Sequence, residues 1–315
     1  AGAGNVVKEF LARNGALVGL ILLCIILAIS TPAFLTGANL LNVGIQASTI
    51  AILAFGETFA IVSAGIDLSV GAVAAFSSMV VAYTGSSMGL PAWLTILIGL
   101  AAGAGFGALS GMANAFLKLP SFIATLATMS IARGLTLVIS DGRPINTSGL
   151  VNFFGGTLAG IPIPIITMIV MGIVAAVILN FTSMGRSVYA VGGNMEASRL
   201  SGIHVHKTQI MVFVLSGIFA AVAGLVIAGR LHSVQPQAAN GYEMDAIAST
   251  VIGGASLSGG KGKISGTFVG AILLAVIRNG LNILNVSSFW QQVVIGLVIA
   301  VAVSIDTMRR KQDIH

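Results

Sequence analysis

The sequence predicts an all-α polytopic membrane protein with about ten transmembrane helices, a single domain over 1–315, and both termini cytoplasmic. Three observations carry this. Only 8% of the 315 residues are charged and 56% are hydrophobic, with a mean hydropathy of +1.02, whereas a soluble domain needs roughly 25% charge. Residues 14–56, 68–117 and 144–185 contain no Asp, Glu, Lys or Arg, and about 20 apolar residues in a helix cross a bilayer. The basic residues, finally, fall almost all on one side of the helices so defined. A soluble enzyme, a disordered chain and a coiled coil are excluded by composition. A membrane β-barrel would show short alternating segments, and the single cysteine, Cys24, leaves no disulfide framework or thiolate metal cluster.

The helices are expected at about 15–33, 41–63, 68–86, 92–117, 121–139, 161–181, 208–229, 243–258, 264–285 and 288–307. The first is read as a span rather than a signal peptide, because many spans follow it and no small-residue cleavage site closes it. The chain opens on Ala1 rather than Met, which leaves its natural start open. The third and eighth segments are short or glycine-broken. With the N-terminus inside, the cytoplasmic side receives Lys8, Arg13, Lys118, Arg186, Arg199, Lys207, Lys261, Lys263, Arg309, Arg310 and Lys311. Only Arg143 and Arg230 fall outside, while Arg133 and Arg278 lie within spans; this is the bias the positive-inside rule requires.

Glycines recur every four residues at Gly99, Gly103, Gly107 and Gly111, and again at Gly262, Gly266 and Gly270. Such spacing lets another backbone approach one helix face. The two ladders run in opposite directions across the membrane, as an inverted-topology repeat would place them. Asp67, Glu243 and Asp245 stand at or before apolar helices, where they are expected as N-terminal caps or as substrate contacts.

The segment Gly254–Lys261 approaches a phosphate-binding loop, but Ala255 and Gly262 stand where that motif needs Gly and Ser or Thr. It reads as a turn. His204 and His206, with no nearby Cys, are a poor metal pair, so no metal site is expected. Polar and aromatic residues inside the spans, Gln46, Phe55, Glu57, Asn114, Asn279, Asn282, Trp290 and Gln291, together with Asp67, are candidates for lining a translocation path. Each has a structural alternative as an interhelix hydrogen bond, and Glu57 with Arg133 is a candidate ion pair. The loop over 182–207 carries a capping pattern, with Asn194 before Glu196 and Gly202 at the end. It reads either as a short helix under the membrane or as an ordinary connection.

Three segments resemble one family. Gly192–Ile203, Gly65–Gly71 and Tyr242–Gly262 are similar to the corresponding stretches of monosaccharide ABC importer permeases of ribose type, and the resemblance runs from about Phe34 to Asp306. It implies a bacterial inner-membrane subunit of such an importer, working with a second permease subunit, a cytoplasmic ATPase and a periplasmic or lipid-anchored sugar-binding protein. ATP and Mg would sit on the ATPase, with no cofactor on this chain and no nucleic-acid partner. Gly193, Asn194, Glu196, Ala197, Arg199, Leu200, Ser201, Gly202 and Ile203 would form the segment that couples to the ATPase. Ser198 departs from the family by standing where many relatives carry Ala. Arg143 and Arg230 would meet acidic groups of the binding protein. The alternatives are an ABC permease for another sugar-like solute (galactose, allose, xylose, inositol or an autoinducer) and an ion-coupled secondary transporter or channel, with Glu57 and Asp67 as its ion sites.

Overall fold

The computed structural model describes residues 15–147 and 149–313. Lys8, Arg13 and His315 lie outside them. The chain is a bundle of antiparallel helices. Helix α1 (Gly15–Ser30) leads to α2 (Gly37–Val62), whose first turn is capped by Thr36 accepting a hydrogen bond from the Asn39 amide. Helices α3 (Val70–Ser86), α4 (Ala92–Ala115) and α5 (Ser121–Ser140) then zigzag across the bundle. Pro91 and Pro120 precede α4 and α5, where a missing N–H costs nothing.

A rim follows, made of β1 (Ile145–Asn146), the single turn α6 (Leu150–Phe153) and a hairpin of β2 (Thr157–Leu158) with β3 (Ile161–Pro162). After α7 (Ile163–Phe181) come α8 (Ser183–Gly193), α9 (Met195–Leu200) and the long α10 (Val205–Leu231). The strand β4 (Ser233–Val234) pairs antiparallel with β1, Ile145 opposite Val234. The chain ends with α11 (Tyr242–Ile252), α12 (Ile264–Ile283) and α13 (Ser288–Asp313).

Among the described residues six helices, α2, α4, α5, α7, α10 and α12, are long and apolar enough to cross a membrane. Helices α1 and α3 and the apolar part of α13, 288–301, are shorter. The eighth expected segment is cut back, because α11 stops at Ile252 where Gly253 and then Gly254, at φ +93°, turn the chain away. A glycine doublet inside an apolar run was the available sign of that stop.

Hydrogen bonds fix which loops share an end. At the upper end Ser86 Oγ donates to the Asn146 carbonyl at 2.6 Å, and the Thr147 amide to the His232 carbonyl at 3.0 Å. At the lower end the Gly260 amide donates to the Val62 carbonyl at 2.8 Å, and the Ile66 amide to Ser121 Oγ at 3.1 Å.

Helices α2 and α10 form the centre and pack on each other. Around α10 lie α3 and α4, which also touch; around α2 lie α11 and α12, which also touch. Both glycine ladders are the surfaces of these contacts. Gly103 meets Gly217, Gly107 the Phe213 backbone and Gly111 the Ile210 backbone, all along α10, while Gly99 meets Ser77 and Val81 of α3. On the other side Gly266 meets Gly253 and Gly270 meets the Ser249 carbonyl. In lipid there is no hydrophobic drive between helices, so close packing and hydrogen bonds hold them together. Larger side chains, such as the edge-to-face pair Phe76–Phe106 at 4.9 Å, fill the space between ladders.

Replacing Gly103 or Gly217 by Leu pushes a side chain into facing backbone. The expected cost is about 2–3 kcal/mol, in the range of core overpacking, and is read as a lower unfolding temperature and fewer monodisperse particles in detergent. Gly105→Ala, which meets nothing within 4 Å, is expected to change neither.

Candidate functional site

At the lower end the chain between α7 and α10 is more ordered than its composition predicts. Thr182 breaks from the helix, and its Oγ1 accepts a hydrogen bond from the Gly185 amide to cap α8. Gly185, Val188, Val191 and Gly192 are the buried face of α8. Sequence reasoning missed this helix because three glycines mask its propensity; the signal was the Val188–Val191 spacing behind a Thr cap.

Asn194 ends α8 and caps α9, its Oδ1 accepting from the Ala197 amide at 2.9 Å. Gly202, at φ +82°, turns the chain away after Leu200 and Ser201. Ser198 is the buried residue of α9, bonding the Asn194 carbonyl at 2.8 Å, so its hydroxyl is satisfied locally. Gly193, Asn194, Met195, Glu196, Ala197, Arg199, Leu200, Ser201 and Gly202 are exposed, and Ile203 is half-buried. Leu200 is 77% exposed.

Arg199 pairs with Glu196 at 2.6 Å. The hydrogen bond and charge of Arg199 hold the Glu196 carboxyl below its ordinary range. The pair therefore persists as pH falls through that range and is lost only below it. An ion pair beside exposed Met195 and Leu200 makes a small amphipathic surface at one end of the bundle. Sequence reasoning did not single out Met195.

Behind α9 three backbones interlock. Gly192 lies against the Val62 carbonyl and the Gly260 amide, so a side chain at 192 would overlap both. Gly259, at φ +83°, lies against Gly192 and Ala64, and Tyr189 donates its hydroxyl to the Gly262 carbonyl at 2.7 Å. In the near phosphate-loop the amides of Gly254, Ala255, Ser256, Gly259 and Gly260 are each taken by a backbone carbonyl. Among the described residues no group of three or more His, Cys, Asp or Glu is placed to hold a metal. His206 stacks edge-on to Phe116 at 5.6 Å.

The candidate path residues separate into small clusters. Glu57 and Asp67 meet at the bundle centre, 0% and 1% exposed. Glu57 Oε1 accepts from the Asp67 amide at 3.1 Å, and Glu57 Oε2 has no partner. Asp67 accepts from the Ser69 amide, Ser69 Oγ and Ser216 Oγ at 2.9, 2.6 and 2.7 Å. The expectation that Asp67 caps α3 is corrected: Ser69 occupies the cap position without a side-chain bond, and Asp67 closes the turn before it.

Asn279 exchanges two amide hydrogen bonds with Asn39, and Gln291 donates to Asn282 at 2.8 Å. Asn114 donates to the Leu119 carbonyl, Phe55 is buried beside Gly172, Gln46 is half-buried and Trp290 is 65% exposed. These four join none of the pairs.

The Glu57–Arg133 ion pair is also corrected. Arg133 instead donates to the carbonyls of Pro236 and Ala238 at 3.1 and 2.9 Å. Asp245 does not cap α11, where Gly241 takes that position; it pairs with Arg278 at 2.6 Å. Glu243 lies in the same first turn. Arg143 and Arg230 are both exposed at the upper end, Arg143 just before β1 and Arg230 in the last turn of α10 before β4, which pairs with β1.

The family model described as branched-chain amino acid transport system / permease component matches residues 39–303. The ribose import permease protein of Bacillus subtilis (strain 168) is 46% identical, over 93% of this chain and 92% of its own. That of Haemophilus influenzae is 44% identical over 95% of this chain and 94% of its own. The D-allose transport system permease protein of Escherichia coli (strain K12) is 40% identical over 92% and 90%. No solved structure matches this chain.

Ser216→Ala strips Asp67 Oδ2 of its hydroxyl donor in a buried site. The expected loss is about 1–3 kcal/mol, the scale of an unsatisfied buried acceptor, measured as a lower unfolding temperature in detergent. Ser130→Ala, whose hydroxyl bonds only its own helix at an exposed position, is the comparison that should remain near the parent.

Proposed function

This chain belongs to the permease-component family of ABC transport systems, and from that premise we propose that it is the membrane permease of a ribose importer. It is a multi-pass protein of the bacterial inner membrane and a transport subunit rather than an enzyme. ATP hydrolysis falls to a separate ATPase, and a periplasmic binding protein delivers the substrate. The observation that carries ribose is identity of 42–46%, over nearly full length, to ribose import permeases of three species.

The chain crosses the membrane ten times with both termini in the cytoplasm, which puts α9 and the loop 254–262 on the cytoplasmic side. The reading is supported by the alternation of loops between two ends and by the placement of basic residues. Two inverted halves are related by exchange of α2 with α10, α3 with α11 and α4 with α12; matching contacts between these helices support it. Two copies form the pathway.

The segment 193–203 docks on the ATPase through Met195 and Leu200, with Glu196 and Arg199 orienting it. Closure of the ATPase dimer on ATP moves α9. The interlock of Gly192 with Val62 and Gly259 carries the movement into α2 and the α11–α12 loop. ATP and the loaded binding protein supply the free-energy difference between inward- and outward-facing states. Glu57, Asp67, Asn114, Asn279, Asn282, Gln46, Phe55, Trp290 and Gln291 remain path candidates, with Glu57–Asp67 the most enclosed. Arg143 and Arg230 meet carboxylates of the binding protein.

Uptake of labelled ribose into proteoliposomes tests the whole reading. It should need the permease, the ATPase, the binding protein and ATP together. Uptake by the permease alone, driven by an ion gradient, would make it a secondary transporter and move attention to Glu57 and Asp67.

Glu196→Lys and Leu200→Glu are expected to lower coupled uptake by at least about tenfold, the scale of an interface residue worth 1.4 kcal/mol or more, while the permease is still expressed and folded. Normal uptake in both variants refutes the coupling role. Charge reversal of Arg143 or Arg230 is expected to weaken binding-protein affinity, more at low salt than at high; unchanged affinity in both rejects the docking role.

A further inference from the structure

Between β4 and α11 the chain is not helical, and it does not stay at the surface. Val234 is fixed at the upper rim by its pairing with Ile145. Five residues on, the Ala239 carbonyl lies against Gly71, near the start of α3, where an added Cβ would meet it at 2.5 Å. Helix α3 runs about 22 Å from Gly71 to Ser86, and Ser86 bonds the rim at Asn146. That length puts Ala239 well inside a hydrocarbon core about 30 Å thick.

The segment alternates along this descent. Val234, Pro236 and Ala239 are buried, while Gln235, Gln237 and Asn240 are exposed. Half-buried Arg133 satisfies the carbonyls of Pro236 and Ala238. The three side-chain amides bond no other described residue. Non-helical backbone at membrane depth survives only where protein buries it or water reaches it. Its own subunit leaves this face open, and an apolar lipid surface would strand three amides.

We infer that the face carrying Gln235, Gln237 and Asn240 lines the water-filled translocation path, where these amides contact the hydroxyls of a neutral monosaccharide. The inference rests on the permease reading and gives it specific contact residues. An amide both donates and accepts, as a hydroxyl does. Charge is balanced beside this face. Arg133 is engaged by carbonyls and lies in the field of Glu243, and Asp245 is taken up by Arg278. Such a surface suits an uncharged polyol rather than an ion.

The test is aqueous accessibility. In a Cys24→Ser parent, Gln235→Cys, Gln237→Cys and Asn240→Cys are made singly, with Ile173→Cys as the comparison on an apolar, exposed stretch of α7 that includes Ile169 and Val177. Each is treated in the assembled complex with a charged, membrane-impermeant thiol reagent, which reacts with the hydrated thiolate. At least two of the three path positions should react on the order of tenfold faster than Ile173→Cys, and labelling should block ribose uptake.

Reaction no faster than Ile173→Cys at all three positions overturns the inference, because it means lipid or a dry subunit interface covers this face. A second arm keeps the backbone undisturbed. Gln237→Leu is expected to lower uptake about tenfold, the scale of a hydrogen bond left unmade, and Gln237→Asn to retain most of it; equal uptake in both removes the sugar contact. Uptake by the Cys24→Ser parent reports on the permease reading separately from either arm.

Discussion

Inside a membrane a peptide group has no water to turn to, and that demand shapes most of the polar chemistry of this chain. At three places where the backbone leaves the helix, side chains or a neighbouring carbonyl answer it. In the turn before α3, the amides of Ile66, Asp67, Leu68 and Ser69 are met by Ser121, Glu57, Thr125 and Asp67. In the descent toward α11, Arg133 meets two carbonyls. In the turn between α11 and α12, Tyr189 and the Val62 carbonyl do the same. Residues that stand out as ionisable groups in an apolar sequence are thus largely the partners of irregular backbone. Glu57 and Arg133 belong to this set, and each takes a peptide group as its partner where an ion pair between them looked natural.

Glycine is the other half of the same design. A helix can satisfy its own backbone, yet it must still be held by neighbours that lipid does not push against it. Gly103 on Gly217 and Gly266 on Gly253 let helix axes approach until backbone meets backbone, which recovers dispersion energy over a long seam. The same device at Gly192, Gly259 and Gly260 joins helix ends to a turn. There it makes a junction with little side-chain slack between α8, α2 and the turn after α11, so displacement of one is passed to the others with little loss.

Much of this was legible beforehand. Long uncharged runs marked the apolar helices, glycine spacing marked the packing seams, and Asn194 with Gly202 left α9 open between a short helix and a plain connection. What was not legible depended on distance along the chain. Nothing local says that Asn39 will meet Asn279, or that Asp245 will meet Arg278, because both contacts arise from helix adjacency. Helix α8 was hidden by its glycines. Gln235 and Gln237 draw no attention in the sequence because glutamine in a loop is ordinary. They become notable only once that loop is placed below the membrane surface.

The enclosure of α2 has a consequence for how the protein is made. Side chains from Ala51 to Val62 are at most 1% exposed, and the hydropathy of its apolar window is 1.6 against 2.7 for α10. A segment leaving the translocon partitions into lipid by its own composition, and a polar or charged residue resists that step. Helix α2 carries Asn39, Gln46, Thr49 and Glu57 to a place where, at the end, little lipid touches it. Its covering helix α10 begins only at Val205, so during synthesis α2 must be retained by the translocation machinery or by α1 until that cover arrives. Biogenesis, more than finished stability, is where a further polar substitution in α2 would first be felt.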